Sequence, residues 1–214
     1  MSNPEIDLLK RLRFGVLSEQ ELLDIFFQSR GKYRVVCQLI QHPKFPEAQA
    51  LNVLAELFSM DLIRVIKNKR TNPFVRRKAE LEFSLRYEKI PAGEKISHLR
   101  MAPLQVLVHL LREKNSRSLQ VIFENPECTE DLVLRFLNRP ADKPPVYEAL
   151  MATPWPKRPR VAEAVIRDPH APIRVLLDIV PILNHNQLKW LYEDGNAHQR
   201  VKEAILSDWK TRQP

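Results

Sequence analysis

The residue types most able to bind a ligand in this 214-residue chain are basic. They are concentrated between Met60 and Lys78. Cations grouped in this way can contact successive phosphates of a nucleic acid and release counterions, which makes affinity fall steeply with salt. Glu80 and Glu82 follow at helical spacing, so a solvated helix pair with ordinary salt bridges would account for most of the cluster. Seven basic side chains in this stretch oppose the single acid Asp61: Arg64, Lys67, Lys69, Arg70, Arg76, Arg77 and Lys78.

A second group of candidate binding residues lies in a proline-rich segment of the last third of the chain. Because Trp155 stands between Pro154 and Pro156, it cannot lie inside a regular helix, and we expect its side chain to be an exposed contact. Basic residues follow at a connection between two helices, and such connections share one edge of a helical stack. The candidates for contact with a partner protein or a polyanion are Trp155, Lys157, Arg158 and Arg160.

Motifs for catalysis or cofactor binding are absent from the sequence. The four glycines lie too far apart to build a loop whose backbone N–H groups cradle a phosphate. No serine lies in a Gly-x-Ser-x-Gly elbow, and Cys37 shares an apolar helix face with Val36 and Ile40, where a free thiol is a packing residue. The six histidines never recur at the i, i+4 spacing of a metal site on one helix. We therefore expect no active site, no metal and no cofactor.

Composition is that of a folded protein, and the net charge favours anionic partners. Hydrophobic residues make up 44% and charged residues 28%, which allows a core that offsets the entropy of ordering the chain. A net charge of +8 favours nucleic acid, an acidic protein surface or lipid headgroups. No apolar run could span a bilayer, residues 1–17 do not resemble a secretory signal, and Cys37 and Cys128 are isolated. We expect a cytoplasmic protein without a membrane partner.

Dense start and stop signals predict a series of short α-helices. Ser18 followed by Glu21 is typical of a capping box, and two helices are expected in the first 31 residues. From Tyr33 onward an apolar helix of about ten residues repeatedly ends at a polar residue plus proline. This phrase recurs at 35–43, 119–126 and 161–169. Further helices are expected to begin near Pro46, Pro73, Pro103, Thr129, Pro172 and Ala197.

Helices this short are marginal alone and must bury an apolar face against their neighbours. Successive helix pairs do this by stacking, so an irregular α-solenoid of short stacked helix pairs is the preferred all-α arrangement and a compact multi-helix bundle is the alternative. Residues 79–87 alternate apolar and polar side chains as a β-strand would. No second run of this kind exists to pair with them, so we interpret the segment as a helix buried on two opposite sides.

The sequence divides into a helical cap (1–31), a first set of helical repeats (32–139) and a second set (140–214), which together can form one continuous domain. Six prolines fall between Asn138 and Pro145 and between Thr153 and Pro159, where they interrupt any long helix. This pattern indicates a bend or an irregular connection. If the chain divides at all, we expect the division near Arg139.

The helix stops resemble those of bacterial repeat proteins. Residues 125–129 (Asn-Pro-Glu-Cys-Thr) and 168–172 (Asp-Pro-His-Ala-Pro), with the Val-Ile pairs before them, are similar to leucine-rich repeat variant and HEAT-like helical repeats. The resemblance covers roughly residues 33–209 and implies an α-solenoid that binds proteins or, in some members, nucleic acid. The cysteine cluster of some leucine-rich repeat variants is missing here, so an iron–sulfur cofactor is not carried over.

We accordingly expect a non-catalytic interaction or scaffold module that binds a partner protein. The alternative is a nucleic-acid-binding protein, because HEAT-like alkylpurine DNA glycosylases resemble this chain in size and basic character. No motif of those enzymes can be matched here residue by residue.

Overall fold

The chain is all-α in the part that the structure describes. The computed structural model describes residues 4–140, 143–195 and 197–212, and no residue of those ranges lies in a β-strand. The prediction of an all-α fold is confirmed. Short 3-10 turns cover Val108–Leu110, Trp155–Lys157 and Val180–Ile182. The α-helices in chain order are α1 (Pro4–Phe14), α2 (Glu19–Gln28), α3 (Tyr33–Ile40), α4 (Glu47–Leu54), α5 (Ser59–Lys67), α6 (Pro73–Tyr87), α7 (Ala92–Met101), α8 (Leu104–Leu107), α9 (Ser116–Glu124), α10 (Glu130–Leu137), α11 (Pro144–Met151), α12 (Pro159–Ile166), α13 (Ile173–Ile179), α14 (His185–Glu193) and α15 (Gln199–Arg212).

The helices form two compact units, unit 1 (Met1–Val106) and unit 2 (Leu107–Pro214). The boundary between them lies well before Arg139, where the sequence suggests a division, and before the proline-rich segment, of which residues 141–142 fall outside the described ranges. Each unit has its own apolar core. Large side chains that are fully buried include Leu39, Leu62 and Phe83 in unit 1 and Phe136, Tyr147 and Leu150 in unit 2.

Helix starts follow the capping residues and prolines of the sequence. Ser18 and Glu21 form the expected capping box at α2: the Ser18 hydroxyl accepts from the Glu21 N–H at 3.3 Å, and the Glu21 carboxylate accepts from the Ser18 N–H at 2.9 Å. A second capping box joins Asn184 and Gln187 at α14. Helices α4, α6, α8, α10 and α13 begin at or directly after the expected residues Pro46, Pro73, Pro103, Thr129 and Pro172.

The polar residue of each polar-plus-proline stop closes a local turn. Its side chain accepts a hydrogen bond from the backbone N–H two residues later, at 2.7 Å for Asn125, 2.9 Å for Asp168 and 3.2 Å for Nδ1 of His42. Such a turn offers the backbone an alternative to the helix, and the proline between donor and acceptor cannot extend the helix because it lacks an N–H. The recurring phrase is therefore a helix stop with a defined mechanism.

Helix α6 contains the segment whose alternating pattern suggested a strand. The interpretation of residues 79–87 as helical is confirmed, because they form the second half of the helix Pro73–Tyr87. The expectation that this helix is buried on two opposite sides is wrong. Its buried residues recur every four positions on one face, while Leu81 and Leu85 are exposed on the other. The buried face consists of Val75, Ala79, Phe83 and Tyr87.

Long side chains satisfy helix-end carbonyl groups about thirty residues earlier in the chain. Arg86 donates to the carbonyl oxygens of Ala55 and Leu57, just past α4, at 2.6 and 2.5 Å. In unit 2 Arg139 donates to the Leu111 and Glu113 carbonyl oxygens at 3.3 and 2.5 Å. The last carbonyl groups of a helix have no intrahelical partner. The arginine side chains therefore supply hydrogen bonds that these carbonyl groups would otherwise accept from water. Because donor and acceptor lie 26 to 31 residues apart, each bond joins successive helix pairs within a unit.

A tyrosine–aspartate pair links α3 to α5 in unit 1 and α11 to the end of α12 in unit 2. In unit 1 the Tyr33 hydroxyl donates to Oδ2 of Asp61 at 2.8 Å and accepts from the Phe58 N–H at 2.8 Å. In unit 2 the Tyr147 hydroxyl and the Lys143 ammonium, the latter at 2.5 Å, both donate to Oδ2 of Asp168. Burial raises the pKa of the Asp168 carboxyl, but its hydrogen bonds from Lys143 and Tyr147 outweigh burial and lower the pKa below 3.8.

The one-sided burial of α6 predicts that truncation destabilises the chain strongly at Phe83 and hardly at all at Leu85. Phe83→Ala should lower the free energy of unfolding by about 3–5 kcal/mol, because it leaves a cavity where the ring is 0% exposed. Leu85→Ala should change it by less than about 0.5 kcal/mol, because Leu85 is 75% exposed. Urea denaturation followed by far-ultraviolet circular dichroism measures both. Equal losses at the two positions would contradict the single buried face.

The Asp168 cluster predicts acid sensitivity of unit 2. Since the folded-state pKa is lowered, the carboxylate stabilises the unit above pH 3.8, and this contribution is lost as the pH falls through the folded-state pKa. Asp168→Asn should cost about 3 kcal/mol at pH 7 and remove this part of the pH dependence, since it leaves Lys143 without its partner. Tryptophan fluorescence during urea unfolding reports on unit 2, which holds all three tryptophans.

The matched control for this prediction is Asp131→Asn in the same unit. The Asp131 side chain is 74% exposed, so its ion pair with Arg160 should contribute less than about 1 kcal/mol. A loss at Asp168 no larger than at Asp131, or an unchanged acid limb in Asp168→Asn, would show that the cluster does not stabilise the fold.

Candidate interaction surface on helix α6

The turn between α5 and α6 is held in place by side-chain hydrogen bonds. Asn68 accepts from the Arg70 N–H at 3.0 Å, and Asn72 accepts from the Phe74 N–H at 2.8 Å. The Asn68 amide also donates to the Gln41 carbonyl oxygen at 3.3 Å, which ties the turn to the end of α3. The basic residues of this region are therefore presented by two packed helices and an ordered connection.

The seven sequence-predicted cations of unit 1 lie along this α5–turn–α6 element. Six of them are exposed, and Arg76 is half-buried with its Nε atom enclosed and without a hydrogen-bond acceptor. Arg64 at α5 is partly neutralised by an ion pair with Asp61 at 2.6 Å. The other six, which we call the basic cluster, are Lys67, Lys69, Arg70, Arg76, Arg77 and Lys78.

The basic cluster is not neutralised by carboxylates within the described residues. The expected salt bridges from Glu80 and Glu82 to residues 76–78 are not formed: Glu82 pairs instead with Arg86 at 2.6 Å, and Glu80 makes no ion pair. The first turn of α6 also lacks an acidic residue, so the partial positive charge of the helix N-terminus adds to that of the cations. The Glu47 carboxylate accepts from the Asn72 side chain at the start of α6, at 3.2 Å, but the six cations outnumber it and this end of α6 stays positively charged.

The outward face of α6 carries an apolar ridge that the sequence analysis missed. Phe74, Leu81 and Leu85 are 69%, 49% and 75% exposed. At about 100° per residue they fall within an arc of about 40°, opposite the buried face, and extend over about 17 Å. The signal in the sequence was their spacing of seven and four residues. It was obscured because the alternation of residues 79–87 suggested that both leucines were buried.

The unit 2 candidates differ from the prediction in their surroundings. The expectation that Trp155 is an exposed contact is wrong: it begins a 3-10 turn, is half-buried, and donates from Nε1 to the Phe123 carbonyl oxygen at 2.8 Å. Arg160 is exposed but spans Glu130 and Asp131 at 3.4 and 3.2 Å. Of this group only the exposed residues Lys157 and Arg158 have no ion pair among the described residues.

Each unit also has a shallow groove. The unit 1 groove, of about 360 Å³, lies between α2, α3 and α4, where the Arg30 guanidinium stacks on Phe26 and Phe27 at 5.6 and 5.1 Å from the ring centroids. The unit 2 groove, also about 360 Å³, lies between α12 and α14, where Arg167 stacks on Trp190 at 5.3 Å. In each groove the cation therefore already contacts an aromatic ring, unlike the cations of the basic cluster.

The two thiols are buried packing residues, as expected for Cys37. Burial raises the pKa of Cys37, and it raises the pKa of Cys128 to about 12, so both are protonated at neutral pH. Across residues 4–140, 143–195 and 197–212, no three histidine, cysteine, aspartate or glutamate side chains gather as a metal site would require. In the same ranges, no helix has the length and apolar character needed to cross a membrane.

A scan against protein-family models, a search of curated protein sequences and a search of solved structures each find no match.

Proposed function

We propose that this chain is a cytoplasmic, non-catalytic interaction module that binds a partner protein through the outward face of α6. The observation that supports the proposal is the apolar ridge of Phe74, Leu81 and Leu85 on a helix whose opposite face is buried. Single exposed apolar residues are ordinary, whereas several aligned on one rigid element and bordered by charge are typical of a binding surface.

The arrangement of helices within each unit supports a repeat scaffold as the setting for this surface. The hydrogen bonds of Arg86 and Arg139 join residues 26 to 31 positions apart, as expected when each helix pair packs on the preceding one. The irregular, HEAT-like α-solenoid therefore remains part of the proposal. In such scaffolds the surface carries the function, and the outward face of α6 combines an apolar ridge with a basic cluster.

A ridge variant tests the proposal. Leu81→Ser/Leu85→Ser should abolish the capture of proteins that the parent chain retains from a nuclease-treated lysate of the native cells, because each lost leucine removes apolar contact area. Its thermal unfolding should match that of the parent, because both leucines are exposed. Affinity capture with quantitative mass spectrometry measures the difference.

The control for the ridge variant is Phe14→Ser/Val16→Ser, which removes two other exposed apolar residues of unit 1. This variant should retain the same proteins as the parent. The proposal fails if the ridge variant and the control capture the same set, or if every captured protein disappears on nuclease treatment.

Nucleic-acid binding is the second candidate function, and the unpaired basic cluster favours it. Six cations without an ion pair in the described residues lie within seven positions of the exposed Phe74 along the chain. Cations combined with an aromatic ring that can stack on a base are the features that single-strand binding proteins use. The leucines of the ridge have no comparable role toward phosphates, so this remains the second choice.

Charge reversal tests the second candidate. If nucleic acid is the ligand, Lys67→Glu/Lys69→Glu/Arg70→Glu should weaken binding of a short labelled duplex or single strand and lower the slope of log K against log salt by about 2–3. Fluorescence anisotropy over a salt series measures both. Lys10→Glu/Lys32→Glu/Arg34→Glu carries the same change in net charge at exposed positions elsewhere in unit 1. Equal behaviour of the two variants would exclude a nucleic-acid site at the basic cluster.

A further inference from the structure

We propose that the segment of the partner that contacts α6 is an acidic amphipathic helix, packed lengthwise on the apolar ridge. This inference rests on the proposed function and specifies the chemistry of the partner. It follows from the positions of charged and apolar side chains along α6. These positions disfavour a second copy of this chain and a nucleic acid as the ligand.

The outward face of α6 has the spacing of a helix-pairing seam. Phe74, Lys78, Leu81 and Leu85 are separated by four, three and four residues, which is the alternation of the two core positions of a heptad repeat. All four side chains are exposed. The seam is therefore a preformed surface for a second helix, over the roughly 17 Å from Phe74 to Leu85.

A cation within the seam selects the charge of the helix that packs there. Lys78 stands between Phe74 and Leu81, and Arg77 borders the seam on one side. Neither residue has an ion pair within the described part of the chain. A partner helix that buried the leucines would desolvate Lys78, so it must supply a carboxylate there to avoid an unpaired buried charge. Lys69 and Arg70 extend the positive field beyond the N-terminal end of α6, so the partner is acidic at that end and apolar over Leu81 and Leu85.

A second copy of this chain fits the seam poorly. It would bring a second set of six cations to the same surface, and like charges brought together at an interface cost several kcal/mol. A nucleic acid would satisfy the cations but would leave Leu81 and Leu85 without an apolar partner. Only an acidic helix with an apolar stripe meets both halves of the surface.

The test uses a synthetic peptide of three heptads, with leucine at the two core positions and glutamate at the flanking positions, labelled with fluorescein and kept below its own association concentration. The full-length chain should bind it with a dissociation constant on the order of 10 μM at low salt. A peptide with lysine in place of every glutamate should bind at least about tenfold more weakly. Fluorescence anisotropy measures both.

Three variants assign the binding to the seam. Leu81→Ser/Leu85→Ser should weaken binding of the acidic peptide at least about tenfold. Lys78→Glu should reduce, by a similar factor, the ratio of the affinity for the acidic peptide to the affinity for the basic peptide. Phe14→Ser/Val16→Ser should bind as the parent does. Circular dichroism of each variant confirms that a loss of binding is not a loss of fold.

The outcomes separate this inference from the proposed function. Equal binding of the acidic and basic peptides, binding of neither, or unchanged binding by the ridge variant overturns the acidic helix. A short duplex or single strand could also displace the acidic peptide. If the ridge variant binds that nucleic acid as tightly as the parent does, the surface is a nucleic-acid site and the acidic helix is overturned. If the ridge variant still loses its captured proteins while the acidic peptide fails to bind, the proposed function stands and the inference alone falls.

Discussion

Short helices leave backbone groups unsatisfied at both ends, and meeting that requirement is the constraint on which this structure depends. Helices α3, α4 and α10 have eight residues each, so half of the N–H groups and half of the carbonyl groups of such a helix lack an intrahelical partner. Capping side chains accept from N-terminal N–H groups at α2, α6, α9, α10 and α14, whereas α3 and α4 have no side-chain cap. The C-terminal carbonyl groups are reached by long side chains such as Arg86 and Arg139, which come from the next helix pair. Secondary and tertiary structure are therefore stabilised by the same bonds.

Some cations of this basic chain serve this constraint, and others do not. Arg86 and Arg139 are directed inward to carbonyl oxygens, and Lys143 pairs with the buried Asp168 carboxylate, which is 7% exposed. These cations are part of the packing, and their replacement would cost stability. Lys67 to Lys78 are different, because they border one solvent-facing helix surface and contact no carboxylate in the described residues. No ion pair in the described residues neutralises their charge, so it remains available for an anionic partner.

Helix α6 both packs on the core of unit 1 and presents cations and apolar side chains to solvent. At fifteen residues it is nearly twice as long as its neighbours α4 and α5, and it uses a single stripe for the core. The remaining surface is large enough for a second helix, and it carries apolar groups that water does not stabilise. A buried stripe of Val75, Ala79, Phe83 and Tyr87 holds the helix rigidly, so an incoming partner would not have to order the surface before binding it.

The sequence by itself determined the all-α class, the capping box at Ser18 and the stop at each polar-plus-proline phrase, because these depend on interactions between residues only two to four positions apart. It also located the basic stretch. It did not determine which side of α6 is buried, since the alternation of residues 79–87 fits a strand, a helix buried on two sides and a helix buried on one. Nor did it show that Glu82 pairs with Arg86 rather than with the cluster, or that the Trp155 indole is held by the Phe123 carbonyl group. Only the tertiary structure decided these points. The Glu82–Arg86 pair spans only four residues, but Arg86 also donates to the Ala55 and Leu57 carbonyl oxygens, so its position depends on how the helices pack. The buried side of α6 and the Trp155 bond likewise depend on which helix packs against which, and contacts between residues some thirty positions apart leave no local signal in the chain.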